Sequence, residues 1–273
     1  MSRPSPAVML FRVVRDTAFR ARRYGLRSAW NCLRTPFMNE GLRWRNRFGR
    51  PRVECPCCGW RGAAFLWLDI GQWVLPQLEC PRCGRHDRHR LMRLVMNTPA
   101  AAQLFKDACV LHCAPDPEMR EWMDRLGARF VVSGDLDPFM YTQAPPPKTA
   151  ADLTALPFKD CVFDVVAHVH VLEHILDDRA ALREIRRVLR PGGAALMMVP
   201  FAPIPATVEY GKPNPELYGH VRDYSANDFP EKLKDFEVTA FRADEFLERS
   251  ARERYQIRPD ETVFLCRKQA EQH

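Results

Sequence analysis

A chain of 273 residues that is 46% hydrophobic, 27% charged and formally +7 can bury one large core or two modest ones, which excludes the disordered class. A membrane-spanning chain is not expected, because the longest charge-free stretch, Gly192 to Val208, is broken by Pro200, Pro203 and Pro205. Four of the ten cysteines sit in paired Cys-x-x-Cys units and no signal-peptide pattern precedes them, so a reducing, cytoplasmic compartment with a metal site is expected rather than a disulfide framework.

The charge is concentrated at the start. Residues 1–52 hold thirteen arginines, no lysine and only Asp16 and Glu40 as acids, a sum of +11, so the remaining 221 residues sum to −4. This basic segment has the spacing of an amphipathic helix. Leu10, Val13, Val14, Thr17, Ala18, Ala21 and Tyr24 share one face, and Arg12, Arg15, Arg20, Arg23 and Arg27 lie mostly opposite. Such a helix can make peripheral contact with an anionic membrane, touch nucleic acid, act as a targeting peptide, or simply pack on the next domain.

Residues 53–93 read as a zinc ribbon. Cys55-Pro56-Cys57-Cys58-Gly59 and Cys80-Pro81-Arg82-Cys83-Gly84 are two C-P-x-C-G turns, with 21 residues between Cys58 and Cys80. Cys55, Cys58, Cys80 and Cys83 would close a thiolate tetrahedron with no open position, which is a structural Zn²⁺ site whose binding energy helps fold a segment with little core. Cys57 could replace a neighbour if the register slipped. Trp60, Phe65, Trp67, Ile70, Trp73 and Leu75 alternate between the two turns and predict a small ribbon with an aromatic cluster. The run Arg85-His86-Asp87-Arg88-His89-Arg90 either contacts an anion or nucleic acid, or caps the ribbon against the next helix.

Residues 94–273 alternate strands and helices. Strands are expected at Ala108–Cys113, Arg129–Gly134, Val162–Val171 and Ala194–Val199. Helices are expected at Glu118–Leu126 and Asp178–Leu189, the latter stopped by Arg190-Pro191-Gly192-Gly193. Ala144–Pro147 and Pro200–Pro215 read as proline-punctuated loops. The alternation predicts an α/β fold: an open, doubly wound, mostly parallel sheet with helices on both faces.

In this order come Val110-Leu111-His112-Cys113-Ala114-Pro115, Gly134-Asp135-Leu136-Asp137-Pro138, Ala151-Asp152-Leu153-Thr154-Ala155-Leu156-Pro157-Phe158, Phe163-Asp164-Val165-Val166, His170-Val171-Leu172-Glu173-His174 and Val188-Leu189-Arg190-Pro191-Gly192-Gly193. Over about 108–270 the set resembles class I S-adenosylmethionine (SAM)-dependent methyltransferases of the type 11-like branch, here with an N-terminal zinc ribbon. The resemblance implies a seven-stranded Rossmann-like sheet, SAM as cofactor, and methyl transfer to an oxygen or nitrogen acceptor. Asp135 then matches the acid that bonds the ribose hydroxyls, and Leu136 packs on adenine. Asp152 matches the acid at the adenine amino group, with Leu153 beside the ring, and His168 lines the methionine part.

The first loop departs from the pattern. His112-Cys113-Ala114-Pro115-Asp116-Pro117-Glu118 has no glycine, and its two prolines remove backbone donors. His112 and Ala114 would still flank the cofactor, with Asp116 or Glu118 at its ammonium group. His170, His174, His220 and Tyr224 are the candidate bases, and Arg222 is placed to hold an anionic acceptor. A related motif in some methyltransferases binds a divalent metal, which would here fall to His170, Glu173, His174 and His220. A small or sugar-type acceptor fits the acidic balance outside the tail. RNA as acceptor fits the ribbon and the tail, and a non-enzymatic binding module for RNA, membrane or protein is the alternative to an enzyme.

Overall fold

The computed structural model describes residues 6–70, 73–137 and 146–269, with all side chains among them except those of residues 6–14 and 23. Two compact units form, Met1–Arg90 with Glu248–Arg258, and Leu91–Leu247 with Pro259–His273. Segment 248–258 therefore belongs to the unit that carries the paired cysteines, whereas the sequence reading kept everything after 94 together.

The first unit is built on α1 (Pro6–Phe48), a helix far longer than the expected one and broken at Gly25, whose φ of 82° and ψ of 175° are not helical. Leu10, Val13 and Val14 of the expected apolar face, and Arg12 and Arg23 of the basic side, lie outside the described side chains. Beyond Gly25 the helix buries small and polar residues: Ser28, Ala29, Asn31, Cys32 and Thr35. After it come β1 (Val53–Glu54), paired antiparallel with β2 (Arg61–Gly62), and β3 (Leu66–Ile70), paired antiparallel with β4 (Trp73–Glu79).

Two asparagines hold α1 to this ribbon. Asn39 donates to the Trp67 carbonyl and accepts from the Trp67 amide, both at 2.8 Å. Asn46 makes the same reciprocal pair with Ala64, at 2.9 Å each. Each side-chain amide satisfies one peptide's donor and acceptor together, as a neighbouring strand would.

The expected aromatic cluster is smaller than the alternation suggested. Trp60 and Phe65 pack with ring centroids 5.6 Å apart, while Trp73 is exposed. In α2 (Asp87–Met96), Arg90 is fully buried, sits 4.1 Å over the Phe65 ring and donates to the Leu78, Arg85 and Gln256 carbonyls. Asp87, also buried, accepts from Arg258 at 2.6 Å. Two of the charges in the Arg85–Arg90 run are thus spent inside the unit, on the helix Arg249–Tyr255 and its flank.

The second unit carries α3 (Pro99–Phe105), β5 (Cys109–Cys113), α4 (Pro117–Arg125), β6 (Phe130–Asp135), β7 (Lys148–Ala150), β8 (Phe163–Val169), α5 (Asp178–Val188) and β9 (Leu189–Met198). Then follow β10 (Val208–Asn214), β11 (His220–Asp223), α6 (Phe229–Lys232), β12 (Glu237–Arg242), α7 (Ala243–Phe246) and β13 (Thr262–Arg267). Seven strands form one sheet in the order β12-β13-β9-β8-β5-β6-β7, parallel except at β13. The mostly parallel, doubly wound sheet is thus as expected. One face packs Leu111, Val166, Ala195 and Met197 against Ala181, Leu182, Ile185 and Val188 of α5, whose apolar stripe was legible from its spacing.

The expected loop Pro200–Pro215 is shorter than the prolines suggested, because β10 pairs antiparallel with β11 in a separate two-stranded sheet. Pro213 is tolerated there at a register shift of that edge pair. The chain leaves β5 toward β6 on one side and β8 lies on the other, so the sheet's topological switch falls at β5, and a cleft is expected beyond the carboxyl ends of these strands.

Candidate active site

A cleft of about 240 Å³ opens there, lined by Ala114, Gly134, Asp135, Leu136, Ala151, Asp152, Leu153, His170, Val171, His174 and Ile175. Seven of these were named from sequence. Asp135 ends β6, where its Oδ1 accepts from the Asp137 amide at 2.9 Å, and partial burial pushes its carboxyl above the usual range. Leu136 is 75% exposed, an apolar side chain that the fold leaves uncovered on the cleft wall. Asp152 anchors an Asx turn by accepting from the Thr154 amide at 2.8 Å and hydroxyl at 2.7 Å. Leu153 is buried beside it.

Gly134, Ala151, Val171 and Ile175 were not anticipated. Gly134 could have been found, since a glycine inside a strand marks a close approach. A Cβ there would lie 3.2 Å from both the Ala151 Cβ and Leu111 Cδ1.

The glycine-free first loop keeps its shape by another route. Ala114 adopts φ 47°, the left-handed region a glycine would normally occupy, with its amide donating to the Gly134 carbonyl at 2.9 Å. Pro117 sits at the first position of α4, where its missing N–H costs no intrahelical bond. Asp116 is not on the cleft wall. Its Oδ1 caps α4 by accepting from the Glu118 and Met119 amides at 2.9 and 3.0 Å, which corrects its expected place at the cofactor's ammonium group.

Two further expectations are corrected by burial. His112 and His168 are almost wholly inaccessible and do not line the cleft. Burial pushes each imidazole down to about 4, so both are neutral near pH 7. His112 Nε2 accepts from the Asp116 amide at 3.4 Å, which fixes the first loop from below. Neither nitrogen of His168 has a hydrogen-bond partner among the described residues.

At the other wall, Leu172–His174 forms a single 3-10 turn after β8, entered through His170 at φ 55°. Ala114 and His170 thus both line the cleft in the left-handed region, the strained backbone that collects at functional sites. His170 Nδ1 lies 3.6 Å from Glu173 Oε1. His174 and His220 stack edge to face with centroids 4.8 Å apart, and desolvation pushes both below the usual imidazole range. His220 Nδ1 is 3.8 Å from Asp223 Oδ1. Glu173, His174 and His220 also bring one ligand atom each within 4.8 Å of one another, a set able to take a divalent ion.

Arg222 and Tyr224 sit elsewhere than expected. Arg222 is buried, with its guanidinium donating to Glu209 and to the Leu172, Ile175 and Leu176 carbonyls. Tyr224 is fully buried and donates to Asp178 at 2.7 Å, and burial pushes its phenol far up. Lys232 completes the network at 2.8 Å from Asp178. These groups brace the turn that presents His174; they are not available to hold an acceptor or take its proton.

The paired cysteines fit a tetrahedral metal. Cys55 and Cys83 sulfurs are 3.7 Å apart and those of Cys58 and Cys80 are 3.8 Å apart, with all four within 4.8 Å of one another. A Zn–S bond of about 2.3 Å implies a tetrahedron edge of about 3.8 Å, whereas a disulfide needs about 2 Å. Gly59 and Gly84, at φ 71° and 72°, close matching turns whose amides donate to Cys55 and Cys80 carbonyls at 2.8 Å. Hydrogen bonds from Cys55 and Cys83 hold Cys80 far below the usual thiol range; bonding with Cys57 and then with Cys80 pushes Cys55 up, and bonding with Cys55 and Cys80 pushes Cys83 up. Cys57 lies outside the set, directed at the His89 carbonyl at 3.6 Å.

The sequence profile of the methyltransferase domain family matches residues 111–197. Over 47 residues, 17% of this chain, the sequence is 55% identical to the demethylmenaquinone methyltransferase of Mycolicibacterium paratuberculosis, and covers 20% of it. The chain thus spans about a fifth of that curated relative's length. Among solved structures, it is similar to the Burkholderia thailandensis 1,6-didemethyltoxoflavin-N1-methyltransferase, with 18% identity, 67% of this chain and 78% of that chain covered, and a TM-score of 0.49. It is also similar to a SAM-dependent methyltransferase from Mesorhizobium loti, with 16% identity, 63% and 98% covered, and a TM-score of 0.46.

Proposed function

We propose, from the premise that residues 111–197 form a methyltransferase domain of the SAM-dependent class, that this chain transfers a methyl group from SAM to an oxygen or nitrogen of a small-molecule acceptor. The observation that carries the reading is the cleft at the switch point, with two carboxylates and two leucines on its walls and a neutral histidine pair beside it. The small-molecule class is supported by the short 47-residue match to a relative named for a quinone-type acceptor.

The residues divide the work by chemistry. Asp135 would accept hydrogen bonds from the ribose diol, a task for a carboxylate with several lone pairs. Exposed Leu136 and buried Leu153 would offer apolar surface to the adenine, and Asp152 would accept from its amino group. Ala114, in its left-handed turn, lets the backbone approach the amino-acid end. When bound, SAM supplies a methyl group on a sulfonium, electrophilic enough that the protein's main tasks are alignment and exclusion of water.

An acceptor O–H or N–H loses its proton as the bond to carbon forms. His220 takes that proton at Nε2, while Asp223 faces Nδ1 and stabilises the imidazolium. His174, edge-on to His220, orients the ring. Zn²⁺ is proposed at Cys55, Cys58, Cys80 and Cys83, where four thiolates leave it no open position and give it a structural role.

Calorimetric titration of the zinc-loaded chain with SAM, beside an Asp135→Ala variant, tests the reading. Micromolar binding that the variant loses supports it. A folded chain that does not bind SAM at millimolar concentration refutes it.

A further inference from the structure

The segment of α1 after Gly25 presents the opposite of an ordinary amphipathic face. Its buried residues are small or polar, while Leu26, Trp30, Phe37, Trp44 and Phe48 are between 62% and 83% exposed. At 3.6 residues per turn these five fall within an arc of about 40°, so they form one continuous stripe. Asn39 and Asn46 fall about opposite that stripe on the same count. Their reciprocal bonds to Trp67 and Ala64 therefore fix the helix with its aromatic side turned outward. The orientation is specified by hydrogen bonds rather than left over from poor packing.

Charge identifies what the stripe meets. From Leu26 to Arg52 the chain has seven arginines and one acid, Glu40. Arg27, Arg43, Arg45 and Arg47 are exposed on the flanks. Two copies pairing through this stripe would bring these arginines together with few acids to answer them. A bilayer with anionic headgroups answers both features, since tryptophan and phenylalanine settle at its interface and arginines meet its phosphates. No helix among the described residues is long and apolar enough to cross a membrane, so the segment lies along the surface.

We propose that the stripe from Leu26 to Phe48 docks the chain on an anionic lipid bilayer, lying in the interface with its aromatic side chains inserted. The proposal stands independently of methyl transfer, because no residue of the cleft takes part.

Co-sedimentation of the full, zinc-loaded chain with phosphatidylcholine vesicles containing about 30% phosphatidylglycerol tests it, with pure phosphatidylcholine as reference. Binding to the anionic vesicles is expected, with at least about tenfold weaker binding to neutral ones and marked weakening by salt. The double variant Phe37→Ser, Trp44→Ser is expected to lower partition about tenfold with zinc content unchanged. Arg45→Glu with Arg47→Glu is expected to remove the preference for anionic lipid. Absence of vesicle binding, or binding that the stripe variant leaves intact, overturns the proposal. So does a concentration-dependent dimer abolished by that variant, which would assign the stripe to a second copy.

Discussion

The buried imidazoles under the cleft make the second unit acid-labile by a calculable amount. His112 and His168 have folded values near 4 against an ordinary 6.5, because burial penalises the charged form. For a depressed histidine the contribution to stability is fully present above 6.5 and is lost as pH falls toward 4, since only the unfolded chain takes up the proton. Between pH 7.5 and 5.5 the loss is about 1 kcal/mol for each ring, and about 3 kcal/mol for each once pH is below both values. A domain of ordinary stability, about 5–15 kcal/mol, would notice the sum.

The test is the urea midpoint of the zinc-loaded chain at those two pH values, followed through buried Trp122 of the second unit. His168→Leu removes one titrating ring that has no hydrogen-bond partner among the described residues, so it is expected to reduce the loss between the two pH values by about 1 kcal/mol. An equal dependence in wild type and variant would refute the reasoning, as would imidazole carbon resonances that titrate near 6.5 in the folded protein.

Asp135→Asn is expected to weaken SAM binding by about tenfold to a hundredfold in calorimetry, because hydrogen bonds to a charged acceptor contribute about 1.5–3 kcal/mol. Elemental analysis should find one Zn²⁺ per chain at the four cysteines, lost in Cys80→Ser and retained in Cys57→Ser, whose thiol faces a carbonyl instead. His220→Gln should lower kcat about a hundredfold with SAM affinity unchanged, and wild-type kcat should rise with pH through a value below 6.5, since desolvation and His174 depress that ring. Arg222→Lys should destabilise the fold by a few kcal/mol in urea titration, because the buried carbonyls of Leu172 and Leu176 would lose a planar donor.

The α5 stripe and the two Cys-x-x-Cys turns were legible because each is written in local spacing, and the alternation of strands and helices pointed to a mostly parallel sheet, whereas Asp135 and Asp152, which line the cleft, were singled out by the family resemblance. The places of Arg222 and Tyr224 were not. Their fate depends on Asp178, Glu209 and Lys232, distant in sequence and brought together only by packing. Asp116 misled because an acid beside a cofactor loop and an acid capping a helix share one pattern, and Pro117 at the next position was the clue for the cap. The stripe on α1 was readable at spacings of four and seven. The arginines between its members dominated the composition instead, and they drew attention to the earlier, different face. His112 and His168 sit on interior strands, where a polar residue near a cleft reads as lining it even when the pleat turns it inward.

The return of residues 248–258 to the cysteine-bearing unit has a bearing on synthesis. Arg90 reaches the Gln256 carbonyl across 166 residues of chain, and Asp87 meets Arg258 across 171. A nascent chain can gather its four cysteines after its first ninety residues, and Arg90 can already reach the Leu78 and Arg85 carbonyls and the Phe65 ring, yet its second terminal nitrogen then lacks the Gln256 carbonyl. The last strap is supplied only once residues 248–258 have been made. Closing so large a loop costs little more than closing a modest one, since the entropy grows only with the logarithm of length. The delay is therefore one of timing rather than of stability. A truncation between β12 and residue 248 would remove β13 from the sheet and also leave the first unit without its Gln256 and Arg258 contacts, so its effect should reach the four cysteines too.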